Sequence, residues 1–112
     1  MNEKNNPTTT LFDLYETISA RRNADPQNSY SAKLLSLGTE KIAEKLGEEA
    51  IETVIAAIKK DPVELQKESA DLIYHLLVLL VDANVNLENI IEELEQRKGI
   101  SGIMEKTSRT EF

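Results

Sequence analysis

The chain has 112 residues, with 20 acidic and 13 basic side chains, one histidine and no cysteine, for a formal charge of −7. At this length a single domain burying roughly 60–68% of its unfolded surface is expected, with no second catalytic domain beside it. The acidic excess argues against nucleic acid or an anionic membrane as partner, and without thiols or a second imidazole only carboxylates remain as metal ligands.

Met1 to Thr10 has no apolar leader segment, and no apolar stretch is long enough to span a bilayer, so a cytoplasmic protein is expected. The domain is expected to span residues 1–112, with 1–8 and about 103–112 flexible. Three prolines, four glycines and 4% aromatic residues leave little of the turn chemistry and alternation that a sheet needs, and helical periodicity dominates. Leu11, Leu14, Tyr15 and Ile18 recur at i, i+3, i+4 and i+7, which predicts a first helix ending near Arg22. Asn23 to Ser29, containing Asp25-Pro26, reads as a loop. A second helical pattern runs from about Ser31 towards Lys60, with a break at Gly38-Thr39, a C-cap followed by a fresh N-cap. Asp61-Pro62-Val63-Glu64 is the clearest boundary, a capping-box-like start with Asp61 as N-cap, Pro62 at N1 and Glu64 at N3. The third helix then runs to about Asp82. Its stretch Leu72 to Val81 is apolar on every side and must be covered all round, which predicts a homodimer, or a tetramer made of two such dimers. Asn86 can cap a fourth helix with Leu87, Ile90, Ile91 and Leu94 on one face, ended by Gly99.

On the second helix, Ile42, Leu46, Ala50, Thr53, Val54 and Ala57 fall in one apolar arc, with Glu49 roughly 20° outside it and Glu52 and Glu48 about 60° and 100° further round. The third helix carries Glu68 and Asp71 one turn apart, just before its apolar stretch. Fifteen residues intervene between Glu52 and Glu68, enough for the chain to turn at Asp61-Pro62 and return antiparallel. Up to five carboxylates then converge, which is unfavourable without a cation because like charges raise each other's pKa. Oxygen-only ligation suits Mg²⁺ or Mn²⁺, and such ions would let an acidic protein bind a polyphosphate. A polarised water would attack phosphorus, with Glu48 as a candidate to take its proton. No glycine-rich phosphate loop is present. The alternative is an ordinary solvated helix face, with Lys45 and Glu49 forming an i,i+4 ion pair.

These residues resemble the phosphoribosyl-ATP pyrophosphatases of the MazG-like all-α nucleoside-triphosphate pyrophosphohydrolase superfamily. The superfamily pattern ExxE then ExxD is matched by Glu49/Glu52 and Glu68/Asp71. The narrower likeness rests on Leu14 to Ile18, Ser29-Tyr30, Lys41 to Ala50, Ala70 to Leu80, and Ser101-Gly102 through Glu105-Lys106. The resemblance implies an all-α four-to-five-helix bundle completed by homodimerisation. It also implies hydrolysis of 1-(5-phosphoribosyl)-ATP to 1-(5-phosphoribosyl)-AMP and pyrophosphate, the second step of L-histidine biosynthesis. Glu49, Glu52, Glu68 and Asp71 would be the Mg²⁺ ligands, and Glu48 a further ligand or the base. Lys41 and Lys45 would meet phosphate or else pair along the helix. Ser29 and Tyr30 would bind phosphate or cap and pack. Arg97, Lys106 and Arg109 would meet the extra ribose phosphate or remain solvated. His75, inside the apolar run, reads as a hydrogen-bonded core residue before a ligand. Two rival readings stand beside this one: a related pyrophosphatase acting on free NTPs or dNTPs, and a non-catalytic acidic helical dimer.

Overall fold

The structure of the protein, a computed structural model, describes residues 6–99. Of the flexibility expected of 1–8 and about 103–112, only residues 6–8 fall among those described, with Pro7 and Thr8 in the first helix; the remainder, and the roles suggested for Lys106 and Arg109, lie outside the described residues. Five helices follow in order: α1 (Pro7–Ala20), α2 (Tyr30–Ser36), α3 (Thr39–Ile58), α4 (Pro62–Asp82) and α5 (Leu87–Arg97). Among the described residues there is no strand.

Local chemistry sets most of the boundaries. Ser29 caps α2, its Oγ accepting from the Ala32 N–H at 3.1 Å, and Asn86 caps α5 by accepting from the Glu88 N–H at 2.9 Å. Gly38, at φ 92°, adopts a backbone that side chains disfavour and so separates α2 from α3. Gly38 itself is the N-cap, so Thr39 is not the fresh cap its hydroxyl suggested. That hydroxyl donates instead to Asp82 Oδ2 at 2.6 Å, tying the start of α3 to the end of α4. Asp61 caps α4 through the Glu64 N–H at 3.1 Å, but the reciprocal half of a capping box is missing, because the Asp61 N–H donates to the Ala56 carbonyl. Both long helices end on a non-glycine residue in the left-handed region, Lys60 after α3 and Asn84 after α4, each at φ 59°.

The core is assembled at one end of the α3–α4 hairpin. Ile18 of α1, Leu34 of α2, Ile42 of α3, Leu77, Val78 and Val81 of α4 and Leu87 of α5 are all buried together. Each such side chain contributes about 1.5–3 kcal/mol relative to exposure. Polar clamps hold α1 over the end of α4: the Tyr15 hydroxyl donates to the Val85 carbonyl at 2.8 Å, and Arg22 donates to the Val81 carbonyl and to Asn84 Oδ1.

The α3 arc differs from the expected one. Val54 and Ala57, assigned to the core face, are exposed, whereas Ala56 is buried and Lys45 and Glu49 are half-buried. The buried face is therefore rotated by roughly 50° towards the glutamates, at about 100° per residue. Beyond Thr53, only Ala56 of α3 is buried, and Ile51, Val54, Ile55 and Ile58 form an uncovered apolar stripe. The apolar stretch of α4 is likewise incompletely covered within one chain, with Ile73 45% and Leu76 38% exposed.

Candidate active site on the α3–α4 hairpin

The two long helices run antiparallel, tied at one end by Thr39 and Asp82 and turned at the other through Asp61. Midway, the Thr53 hydroxyl lies 2.8 Å from the Glu49 carbonyl and 3.2 Å from the Glu68 carbonyl, so its single proton is shared between its own helix and the neighbour. That pins Glu49 and Glu68 opposite each other. One carboxylate oxygen from each of Glu49, Glu68 and Asp71 then lies within 4.8 Å of the other two. Glu49 and Glu68 are half-buried, and Asp71 is exposed.

Burial raises the pKa of Glu49, and the charges of Glu52, Asp71 and Glu48 push it further, while His75 pulls the other way. Glu68 is raised to about 7, first by a side-chain hydrogen bond with Glu64, then by burial and by the charges of Glu52, Glu64 and Glu49. The Glu64 contact and the surrounding negative charge therefore both favour the protonated form of Glu68. A hard divalent cation fits the same donors: three carboxylate oxygens, no nitrogen or sulfur, and excess negative charge to neutralise.

Glu52 stands outside this triad but raises both Glu49 and Glu68, and with Glu68 it lines a cleft of about 240 Å³. Glu48 is exposed and is felt at Glu49 only as charge. The Lys45–Glu49 pair of an ordinary solvated face is not formed; Lys45 is half-buried and makes no ion pair among the described residues. Lys41 pairs with Glu44 at 3.2 Å, both exposed, an interaction of small consequence. Ser29 caps α2, and Tyr30 stands 54% exposed beside it. Arg97 is ion-paired with Glu93 at 3.8 Å on α5 and does not line the acidic cleft.

His75 is buried, and its Nδ1–H donates to the Asp71 carbonyl at 2.7 Å. It is not one of the grouped carboxylate ligands, and it braces the turn that presents Asp71. Three contributors were not singled out from sequence. Glu64 and Lys59 line the acidic cleft, and Thr53 links the two helices. The available signal was spacing, since Glu64 precedes Glu68 and Thr53 follows Glu49 by four residues, one helical turn.

The model of the family described as phosphoribosyl-ATP pyrophosphohydrolase matches residues 11–98. The chain belongs to that family. It is accordingly a hydrolase acting on a phosphoanhydride bond. It is 54% identical over 99 residues to the phosphoribosyl-ATP pyrophosphatase of Dinoroseobacter shibae, covering 88% of this chain and 97% of that one. The protein of the same name from Azospirillum brasilense is 54% identical over 99 residues, covering 88% and 89% of the two chains. That of Erythrobacter litoralis is 55% identical over 100 residues, covering 89% and 96%. The all-α architecture agrees with this membership. No helix among the described residues is long and apolar enough to cross a membrane.

Proposed function

We propose that the chain is a Mg²⁺-dependent phosphoribosyl-ATP pyrophosphohydrolase, a single domain that converts 1-(5-phosphoribosyl)-ATP and water to 1-(5-phosphoribosyl)-AMP and pyrophosphate, the second step of L-histidine biosynthesis, in the cytoplasm. The observation that carries this reading is the convergence of Glu49, Glu68 and Asp71 across the hairpin in a chain of this family. Glu49, Glu68 and Asp71 would hold the cation, with Glu52, which shares the acidic cleft with Glu68, completing the set. Mg²⁺, or Mn²⁺ in its place, supplies charge neutralisation for the polyphosphate and polarisation of water.

The chain's own residues do the rest. Glu48 takes the proton from the attacking water, whose oxygen bonds one phosphorus of the α–β anhydride while the bridging oxygen leaves with the other. Lys45, half-buried one helical turn before Glu49, meets the phosphates, and Lys41 joins it once released from Glu44. Ser29, Tyr30 and Arg97 contribute to holding the rest of the substrate. Thr53 and His75 keep the two acidic turns in register.

A second copy of the chain covers the open side of α4. Support comes from an apolar cleft of about 190 Å³ between α1, α4 and α5, whose lining includes the exposed Ile73, Leu76 and Leu94 and is entirely leucine and isoleucine. The α3 stripe of Ile51, Val54, Ile55 and Ile58 is a further apolar face on which two dimers can pair. The activity is tested with a substrate panel. Pyrophosphate release from phosphoribosyl-ATP, with dUTP and dCTP left intact, supports the assignment, and the reverse pattern rejects it.

A further inference from the structure

Apart from the acidic cleft, a cavity of about 600 Å³ lies between the α1–α2 loop and α2, with Gln27, Asn28, Tyr30 and Lys33 on its wall and, among the described residues, no acidic side chain lining it. One face of the Tyr30 ring stacks on Tyr74, at 6.1 Å between centroids and 17° between planes, and the Tyr74 hydroxyl is fixed by Ser31 at 2.6 Å. Tyr30 nevertheless remains 54% exposed, so a rigidly backed aromatic surface faces open space. The loop is braced as well: the Asp25 carboxylate accepts from the Gln27 N–H at 2.9 Å and from Asn28 Nδ2 at 3.1 Å. Those bonds leave the Gln27 side-chain amide and Asn28 Oδ1 available to the edge of a ligand. Lys33 is exposed, and its ammonium makes no ion pair among the described residues.

This cavity is coupled to the carboxylates through one side chain. His75 Nδ1–H donates to the Asp71 carbonyl, and its other nitrogen, an acceptor in the neutral ring, faces the Tyr30 hydroxyl at 3.5 Å, with the Tyr30 and His75 rings edge to face. The aromatic surface and the cation-binding turn therefore stand one imidazole apart. A nucleotide whose base lies on Tyr30 can direct its phosphates towards the acidic cleft, while any phosphate inside the Tyr30 cavity itself meets Lys33.

We propose that the Tyr30 cavity holds the purine end of the substrate, with the base stacked on the open face of Tyr30 and Lys33 meeting the phosphate of the second ribose, so that Lys33 distinguishes a phosphoribosylated nucleotide from a plain one. This rests on the reaction proposed above. A π-face accepts any base, whereas an ammonium on a cavity wall with no acidic side chain among its described lining residues favours a ligand that brings an additional anion there.

The test is calorimetric binding of phosphoribosyl-AMP and AMP to the full chain, with pyrophosphate release from phosphoribosyl-ATP measured on the same wild-type preparation. Wild type binds phosphoribosyl-AMP about tenfold tighter than AMP, and Lys33→Met brings the two within about threefold, as loss of one charged hydrogen bond requires. Tyr30→Leu weakens both ligands by about tenfold, while Tyr30→Phe, which keeps the ring, holds both within about threefold of wild type. Circular dichroism accompanies each variant, and if Tyr30→Leu fails to fold, Lys33→Met and Tyr30→Phe decide. An unchanged preference in Lys33→Met, or a folded Tyr30→Leu that binds both ligands as wild type does, overturns the proposal while leaving the reaction intact. Absence of pyrophosphate release from wild type overturns the reaction itself.

Discussion

Binding of Mg²⁺ should displace a proton from Glu68. Its carboxyl is raised to about 7, chiefly by the hydrogen bond with Glu64, whereas an ordinary glutamate ionises near 4.5. With one site at about 7, about 9% of the carboxyl is ionised at pH 6 and about 91% at pH 8, so the apparent Mg²⁺ affinity should fall about tenfold between pH 8 and pH 6. A carboxyl at its ordinary value would be almost fully ionised throughout that range and would give no such slope. Titration calorimetry in two buffers of different ionisation enthalpy reads both the affinity and the proton released. Glu64→Gln is the matching perturbation, because an amide N–H donated to the Glu68 carboxylate favours the charged form and should flatten the slope. The metal-free fold carries the same signature. Folded Glu68 holds its proton where unfolded Glu68 has lost it, so stability falls as pH rises from about 4.5 to about 7, and added Mg²⁺ reverses the loss at the upper end. An affinity that changes less than about twofold between pH 6 and pH 8, or a slope that survives Glu64→Gln, refutes the assigned proton site.

Other perturbations probe separate parts of the structure. Asp71→Asn and Glu52→Gln should each lower kcat/KM at least about tenfold in steady-state assays at fixed Mg²⁺, with the deficit shrinking as Mg²⁺ is raised. If full activity persists in either, that residue is not a ligand. Lys60→Gly should stabilise the protein by about 1 kcal/mol in urea unfolding, because glycine relieves the left-handed backbone at φ 59°; an unchanged or lower midpoint contradicts this. Leu76→Asp, on the open side of α4, should convert the proposed dimer to monomer in sedimentation velocity, and an unaltered sedimentation coefficient would contradict an interface on this face.

The parts of the fold that could be read in the sequence are those decided by local chemistry. Asp61-Pro62 starts α4 because an Asp side chain accepts an orphan N–H and proline fits the first turn, and neither depends on distant residues. Gly38 breaks the helix for a similarly local reason. The facing of α3 was harder, because Ile51, Val54, Ile55 and Ile58 supply as much apolar character as the residues that pack within the chain, and a single-helix arc averages the two faces. The true contact face turns towards Glu49 and Ala56, a small residue whose burial depends on how closely α4 approaches. At the site, spacing brought Glu49, Glu68 and Asp71 to one place, but it could not exclude Glu52 from the tight triad or foresee the influence of Glu64 on Glu68. Those depend on side-chain reach across two helices. Likewise the ends of α3 and α4 fall on Lys60 and Asn84, where the absence of glycine hid two left-handed caps.

The most direct measurement is pyrophosphate release from phosphoribosyl-ATP by the purified chain, with Mg²⁺ present and then removed by chelation. Stoichiometric release of pyrophosphate and phosphoribosyl-AMP that stops on chelation and resumes when Mg²⁺ is restored is the predicted result. Undiminished release after chelation, or no release at any Mg²⁺ concentration, would contradict a carboxylate-held cation as the centre of this enzyme.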